Sequence, residues 1–239
     1  MRPNRNYIPG RLYVITQRGN QGQWVYCDDA DFETAVDLMR RYAPQHQVAI
    51  HGWSLLHTHG HWIFEAATPT GISNLMRDMQ ARYSHYLNTK YRDKPWVLIA
   101  PLFGARNCDQ FSPHLRTGPV NWTPRYHAKV IGEHELPSLL RHLENNPARL
   151  GMARRAVDWP WSSAKAHTIG HDRASVLTFD RWLHLFDKPE TMAADWQAYL
   201  EDRIRANYPS RSHEPSPGTG SQRNRPRLEL SCFTAVPDS

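Results

Sequence analysis

The stretch His57-Thr58-His59-Gly60-His61-Trp62-Ile63-Phe64 decides the reading of this chain. It is short, β-branched and aromatic at its end, as strands are. Alternate residues of a strand share a face, so His57, His59 and His61 are expected to point the same way. Two imidazoles spaced two apart on a strand can hold a divalent metal, given a third ligand from elsewhere. The same pattern also fits a solvated histidine-rich edge, or core histidines satisfied by hydrogen bonds.

Outward from this stretch the elements alternate. Residues 47–55 read as a strand running into the histidine strand at 57–66, with a bend between them. Upstream, Phe32, Ala35, Leu38, Met39 and Tyr42 recur at helical spacing behind a cap at Asp29 or Asp31, and Pro44 is expected to stop that helix. Leu12 to Gln17 is a short strand ending in the turn signal Arg18-Gly19-Asn20, and Trp24 to Cys27 predicts another strand. Downstream, Thr70 or Ser73 opens a long helix with Leu75, Met76, Met79, Tyr83, Tyr86 and Leu87 on its apolar stripe. The order strand, helix, strand, strand, helix predicts an α+β fold, with helices on one face of an antiparallel-type sheet.

Beyond that unit, residues 95–120 are rich in Pro, Gly and Asn and read as a long loop or insertion. Tyr126 to Ile131 predicts a strand. Leu136 to Asn145 predicts a helix that ends by Pro147. Phe179 to Phe186 and Met192 to Ile204 predict two further helices. From Pro209 the composition turns to Pro, Ser, Gly and Arg, a basic tail with too little apolar surface to fold alone. The expected organisation is an arm at 1–11, a domain at 12–167, a helical extension at 168–208 and the tail at 209–239.

The 239 residues carry a net charge of +6 and a pI near 9.4, which favours a polyanionic partner. Nine Trp, ten Tyr and fourteen His add rings suited to stacking on unpaired bases, or to core and interface packing. Three scattered cysteines with no CxxC pair indicate neither a zinc ribbon nor a disulfide framework. No run of 18 apolar residues occurs, so no membrane span is expected. The polar start, Met1 to Gly10, lacks a secretory apolar stretch, so a cytoplasmic setting is expected.

Two later segments carry chemistry. In Arg141-His142-Leu143-Glu144-Asn145-Asn146-Pro147, His142 and Asn146 are four apart and stack on one side of a helix. A base or nucleophile at the first position would neighbour a metal ligand at the second; an ordinary helix C-terminus is the plainer alternative. Asp158-Trp159-Pro160-Trp161-Ser162-Ser163 reads as a rigid aromatic turn packed on the core.

Together these segments resemble the REP-associated tyrosine transposases, within the HUH single-strand nucleases. Tyr13 to Asn20 is similar to the family's opening strand and turn, Asp28 to Asp31 to its first helix start, and Trp53 to Phe64 to its HUH strand pair, with His59 and His61 as the two histidines. Arg82-Tyr83, Tyr86-Leu87-Asn88, Trp122 to Tyr126, Asn146 to Gly151 and Trp159 to Ser163 follow in the family's order. The resemblance spans residues 12 to about 167.

It implies that His59, His61 and Asn146 hold Mg²⁺ or Mn²⁺, with His57 as a possible further ligand. It also implies single-stranded DNA beside a hairpin as the partner, a monomer or homodimer, and transposase or endonuclease chemistry through a phosphotyrosine. Arg77, Arg82, Lys90, Arg125 and Arg149 are the expected phosphate contacts. Four departures stand out: His142 at the tyrosine position, Gly60 between the two histidines, His57 in place of a proline, and the 95–120 segment. His142 leaves open a DNA binder without cleavage, a histidine nucleophile or base, or a substitute tyrosine, Tyr126 or Tyr83. A DNA-independent metal hydrolase is the alternative outside nucleic-acid chemistry.

Overall fold

A computed structural model describes residues 5–92, 122–186 and 191–201. The 95–120 segment and the tail from residue 209 lie outside the described residues. The elements are β1 (Leu12–Arg18), α1 (Asp29–Gln45), β2 (Val48–Leu56), β3 (His59–Ala66), α2 (Gly71–Lys90), β4 (His127–Ile131), α3 (Leu136–Arg149), α4 (Ala164–Ile169), α5 (Asp180–Leu183) and α6 (Met192–Glu201). The four strands form one antiparallel sheet in the order β2-β3-β1-β4.

β1, β2 and β3 alternate between two covered faces, whereas edge strand β4 is largely exposed. Tyr13, Ile15, Trp53, Leu55, Trp62 and Phe64 join one buried cluster with the apolar stripes of α1 and α2. This is the helix-covered face expected from the sequence. The opposite face carries Val14, Thr16, Ser54, His61 and Ile63 in register. There α3 lies over β2: a Cβ on Gly52 would come within 2.3 Å of Leu140 Cδ2. The histidine pair therefore looks toward α3 and away from the α1/α2 core.

Local chemistry explains the element ends. Asp28 caps α1 by accepting from the Asp31 amide, while Asp31 accepts from the amide of Asp28, a reciprocal capping box. Three expectations need correction. Trp24–Cys27 forms no strand; it is a buried irregular segment whose Val25 and Tyr26 amides both donate to the His57 carbonyl. Pro44 does not stop α1, which runs to Gln45. Pro147 likewise sits inside α3, which runs to Arg149. A proline in a last turn removes one N–H, and the tertiary packing of buried Pro147 outweighs that loss. The carbonyls of Asn146, Pro147 and Ala148 are satisfied by Leu150, Met152 and Gly151. Among the described residues no helix is long and apolar enough to cross a membrane.

The glycine between the histidines has a packing reason. It points to the α1/α2 face, where a Cβ would lie 2.4 Å from Trp62 Cη2 and 3.1 Å from Leu55 Cδ2. The Trp62 indole folds back beneath Gly60 and donates its N–H to Met39 Sδ at 3.0 Å. The next residue on that face of the same strand thus fills the space of an apolar side chain at position 60. In an ordinary strand Gly→Ala would gain roughly 0.5–1 kcal/mol. Here Gly60→Ala is expected to destabilise by about 1–3 kcal/mol through overpacking, read as a lower urea midpoint. The same change in a Trp62→Leu background should cost less.

Candidate metal and nucleic-acid site

Both HUH-type histidines are deeply placed, His59 at 7% and His61 at 3% relative exposure. Their rings meet edge to face, with centroids 4.8 Å apart at 87°. Each Nδ1 has a threonine hydroxyl 2.8 Å away: Thr16 Oγ1 beside His61 and Thr58 Oγ1 beside His59. A hydroxyl turned to accept from Nδ1–H fixes the tautomer that leaves a lone pair at Nε2, the arrangement of buttressed imidazole ligands. Burial drives the His59 pKa down to about 3, helped by the charge of Arg18. Burial, then His59, Arg18 and His142, hold His61 well below its ordinary value. Both rings are therefore neutral near pH 7, the form that binds a metal.

His57 does not join them. The hairpin turn starts one residue later than expected, at His57 rather than at position 56, so His57 falls between β2 and β3 and the strand alternation does not reach it. Its ring stacks on Trp24, centroids 4.3 Å apart, and its Nδ1 lies 2.7 Å from the Tyr26 carbonyl. Among the described residues, no three His, Cys, Asp or Glu side chains stand close enough to hold a metal ion. His59 and His61 thus offer two imidazole donors, and a divalent ion between them would need its remaining ligands from other groups, such as amide oxygens, substrate oxygens or water.

His142 and Asn146 lie one turn apart on α3, both half-buried. Arg149 Nη1 lies 3.0 Å from His142 Nδ1. A guanidinium only donates, so Nδ1 accepts and the neutral ring carries its proton on Nε2. Burial, then the Arg149 charge, lowers the His142 pKa and keeps that neutral form. His142 thus presents an N–H rather than a lone pair at Nε2.

The rotation of α3 is set by Glu144, a residue that pattern reading missed. Its fully buried carboxylate sits 2.5 Å from Ser163 Oγ, 2.5 Å from His167 Nδ1 and 2.9 Å from Trp196 Nε1. The one available signal was a charged residue on the apolar stripe between Leu140 and Pro147. Arg18 was also missed, because it read as turn. It ends β1 opposite His59, and its charge bears on both histidines.

Other expected residues lie elsewhere. Tyr126 packs against the α1/α2 core, and its hydroxyl accepts from Tyr7 Oη at 2.9 Å. Tyr83 is buried in that core and donates to the Val25 carbonyl at 2.6 Å. Neither tyrosine shares the face of the histidine pair. Lys90 is consumed by Asp28 and Asp31, at 2.6 and 2.7 Å. Arg77 binds Asp78 and Asn74, and Arg82 lies over the Tyr42 ring. These three cations ride on α2, across the sheet from His59 and His61, so they do not converge on the site as expected. Arg125 is exposed just before β4. Only Arg149 reaches the site's helix. The Trp159–Ser163 turn behaves as read: Trp161 stacks on Phe32 at 5.1 Å and accepts from the Leu55 amide along the β2 edge.

The buried histidines imply a pH dependence with a definite sign. Unfolded imidazoles take up a proton near 6.5, while folded His59 and His61 stay neutral far below that. Below about pH 6.5 the unfolded chain binds more protons, so stability falls as pH drops toward 3. Above that pH neither state is protonated and the pair contributes no slope. Each ring accounts for about 1.4 kcal/mol per pH unit. In EDTA, urea midpoints at pH 6 and pH 5 should show a shallower loss for His61→Gln by that amount. Identical slopes would refute the assignment.

Comparison with known proteins bears on the fold. A REP-associated tyrosine transposase bound to a REP hairpin superimposes with a TM-score of 0.51 at 16% identity, over 76% of this chain and 96% of that one. A candidate transposase from Deinococcus radiodurans (TM-score 0.37, 16% identity, 61% of this chain and 97% of that one) matches too loosely to carry weight. So does a bacterial tRNA(His) guanylyltransferase-like protein bound to GTP (TM-score 0.38, 11% identity, 62% and 67%). No family model and no curated protein matches the chain. The sheet order and this superposition show that the chain shares the fold of a REP-associated tyrosine transposase.

Proposed function

We propose that this protein binds single-stranded DNA beside a hairpin, with Mg²⁺ or Mn²⁺ held by His59, His61 and Asn146, and that it does not perform tyrosine-type strand transfer. The carrying observation is the neutral, threonine-buttressed histidine pair facing α3, with Arg18 charging one side and the Arg149–His142 pair on the helix. The solved hairpin complex of a protein with this fold supports DNA as the partner. A bound divalent ion would supply positive charge to a phosphodiester oxygen.

The chain's own groups serve recognition. The His142 Nε2–H donates to a phosphate oxygen, Arg149 holds the ring in that tautomer, and Arg18 adds charge for a second oxygen. A histidine nucleophile or general base needs a lone pair facing the phosphate, and the Arg149 contact occupies Nδ1 while Nε2 is protonated. This favours binding over covalent transfer. The high positive charge favours DNA over a small phosphoester as the ligand of the same groups.

Three measurements test the reading. Wild-type protein should bind hairpin-bearing single strands more tightly in Mn²⁺ than in EDTA. His59→Ala/His61→Ala should lose that metal-dependent gain, at least about tenfold in Kd, or about 1.4 kcal/mol. Wild-type protein should leave the strand uncut, whereas His142→Tyr should yield a DNA–protein adduct by intact mass. An adduct on His142 in the wild type would overturn the non-transferring role, and absence of DNA binding would overturn the proposal as a whole.

A further inference from the structure

A cleft of about 910 Å³ opens on the α6 side of α3, walled by α3, the Arg154–Val157 turn and α6. Its lining includes Arg141, His142, Arg149 and Arg154. Among the described residues, no carboxylate forms an ion pair with Arg141, Arg149 or Arg154. Two carboxylates lie nearby: Asp158 pairs with Arg155 at 2.8 Å, and Glu201, which accepts from the Gln197 side-chain amide at 3.2 Å, lines the α6 end of the cleft. The Arg141 guanidinium lies 4.9 Å from the centre of the Tyr199 ring, and its buried Nε has no hydrogen-bond partner. An unsatisfied buried donor costs about 1–3 kcal/mol. An entering anionic oxygen would relieve it, since guanidinium binds phosphate side-on through paired N–H groups.

The cleft is not isolated from the histidine face. His142 lines it, and His142 lies near enough to His61 to disfavour protonation of that ring. We infer that this cleft holds the backbone phosphates of the unpaired strand that runs on from the His59/His61 face, with Arg141, Arg149 and Arg154 as the contacting cations. The inference rests on the DNA-binding reading and adds the path of the strand to it. A groove of this size, whose lining holds four arginines and one carboxylate, suits a run of phosphates rather than a single one. Its contacts carry affinity without base specificity. Hairpin stem contacts do not require it.

The test uses the full chain in Mn²⁺ and two fluorescent probes. One is a hairpin with a blunt base; the other is the same hairpin with an unpaired extension of about eight nucleotides, within the span of single-strand grooves. Wild-type protein should bind the extended probe at least about tenfold tighter. Arg141→Gln/Arg154→Gln should lose most of that gain while binding the blunt probe as the wild type does. For the extended probe, its log–log salt slope should be shallower by about 1.4, or about 0.7 for each lost phosphate contact. Arg154→Gln alone, at an exposed position, should give half of the slope change and guards against misfolding of the double variant. Equal affinity for the two probes in the wild type, or equal weakening of both in the variants, overturns the cleft assignment and leaves DNA binding standing. Failure of wild-type protein to bind either probe removes DNA binding and the cleft assignment together.

Discussion

The buried carboxylate of Glu144 is the constraint on which the α3 half of the molecule depends. It is fully enclosed and faces Ser163, His167 and Trp196 at 2.5 to 2.9 Å. Those partners come from the segment that edges β2 and runs on into α4, and from α6. One side chain thus ties two separate pieces of chain, α6 and the Ser163–His167 start of α4, to the middle of α3. A buried charge left without its partners costs several kcal/mol, so the helix has little freedom to rotate. His142 and Asn146 lie two residues to either side of Glu144. Their positions around the helix axis are fixed by its anchoring.

The sheet supplies the other half of the site by strict alternation. Thr16 and His61 are cross-strand partners, and the Thr16 hydroxyl reaches the His61 ring. Odd positions of β3 meet α3, and even positions meet α1 and α2. Gly60 and Trp62 show how closely the two faces are coupled. The indole that fills the core beneath Gly60 belongs to the residue just after His61, so the α1/α2 core helps to hold the backbone that carries both histidines. On that side Lys90, Asp28 and Asp31 form their own knot, with Tyr86 and Tyr91 donating to Asp31. Those charges serve α1–α2 packing and leave no cation over for the opposite face.

The electrostatics of the site follow from burial among cations. Arg18, Arg149 and the neighbouring imidazoles all oppose protonation of His61 or His142. Neutral rings beside guanidinium groups suit an anionic ligand that bridges them. The tautomer of His142 follows from the same arrangement, since a guanidinium can only donate. His142 therefore offers a hydrogen-bond donor rather than a nucleophile.

Much of this was legible in the residues. The order of strands and helices, the placing of His59 and His61 on one face and the i, i+4 relation of His142 to Asn146 all follow from local periodicity. Periodicity is a property of neighbouring residues, so sequence exposes it. His57 went astray because strand alternation was carried two residues into a turn. Lys90 and Tyr126 went astray because a side chain's partners lie dozens of residues away: 59 and 62 residues for the Lys90 ion pairs, and 119 for the Tyr7–Tyr126 hydrogen bond. Glu144 drew no reading of its own, since burial comes from what packs over a residue and not from the residue itself. Which cations are spent within the fold, and which face an open cleft, was decided only when α3, α4 and α6 closed around that carboxylate.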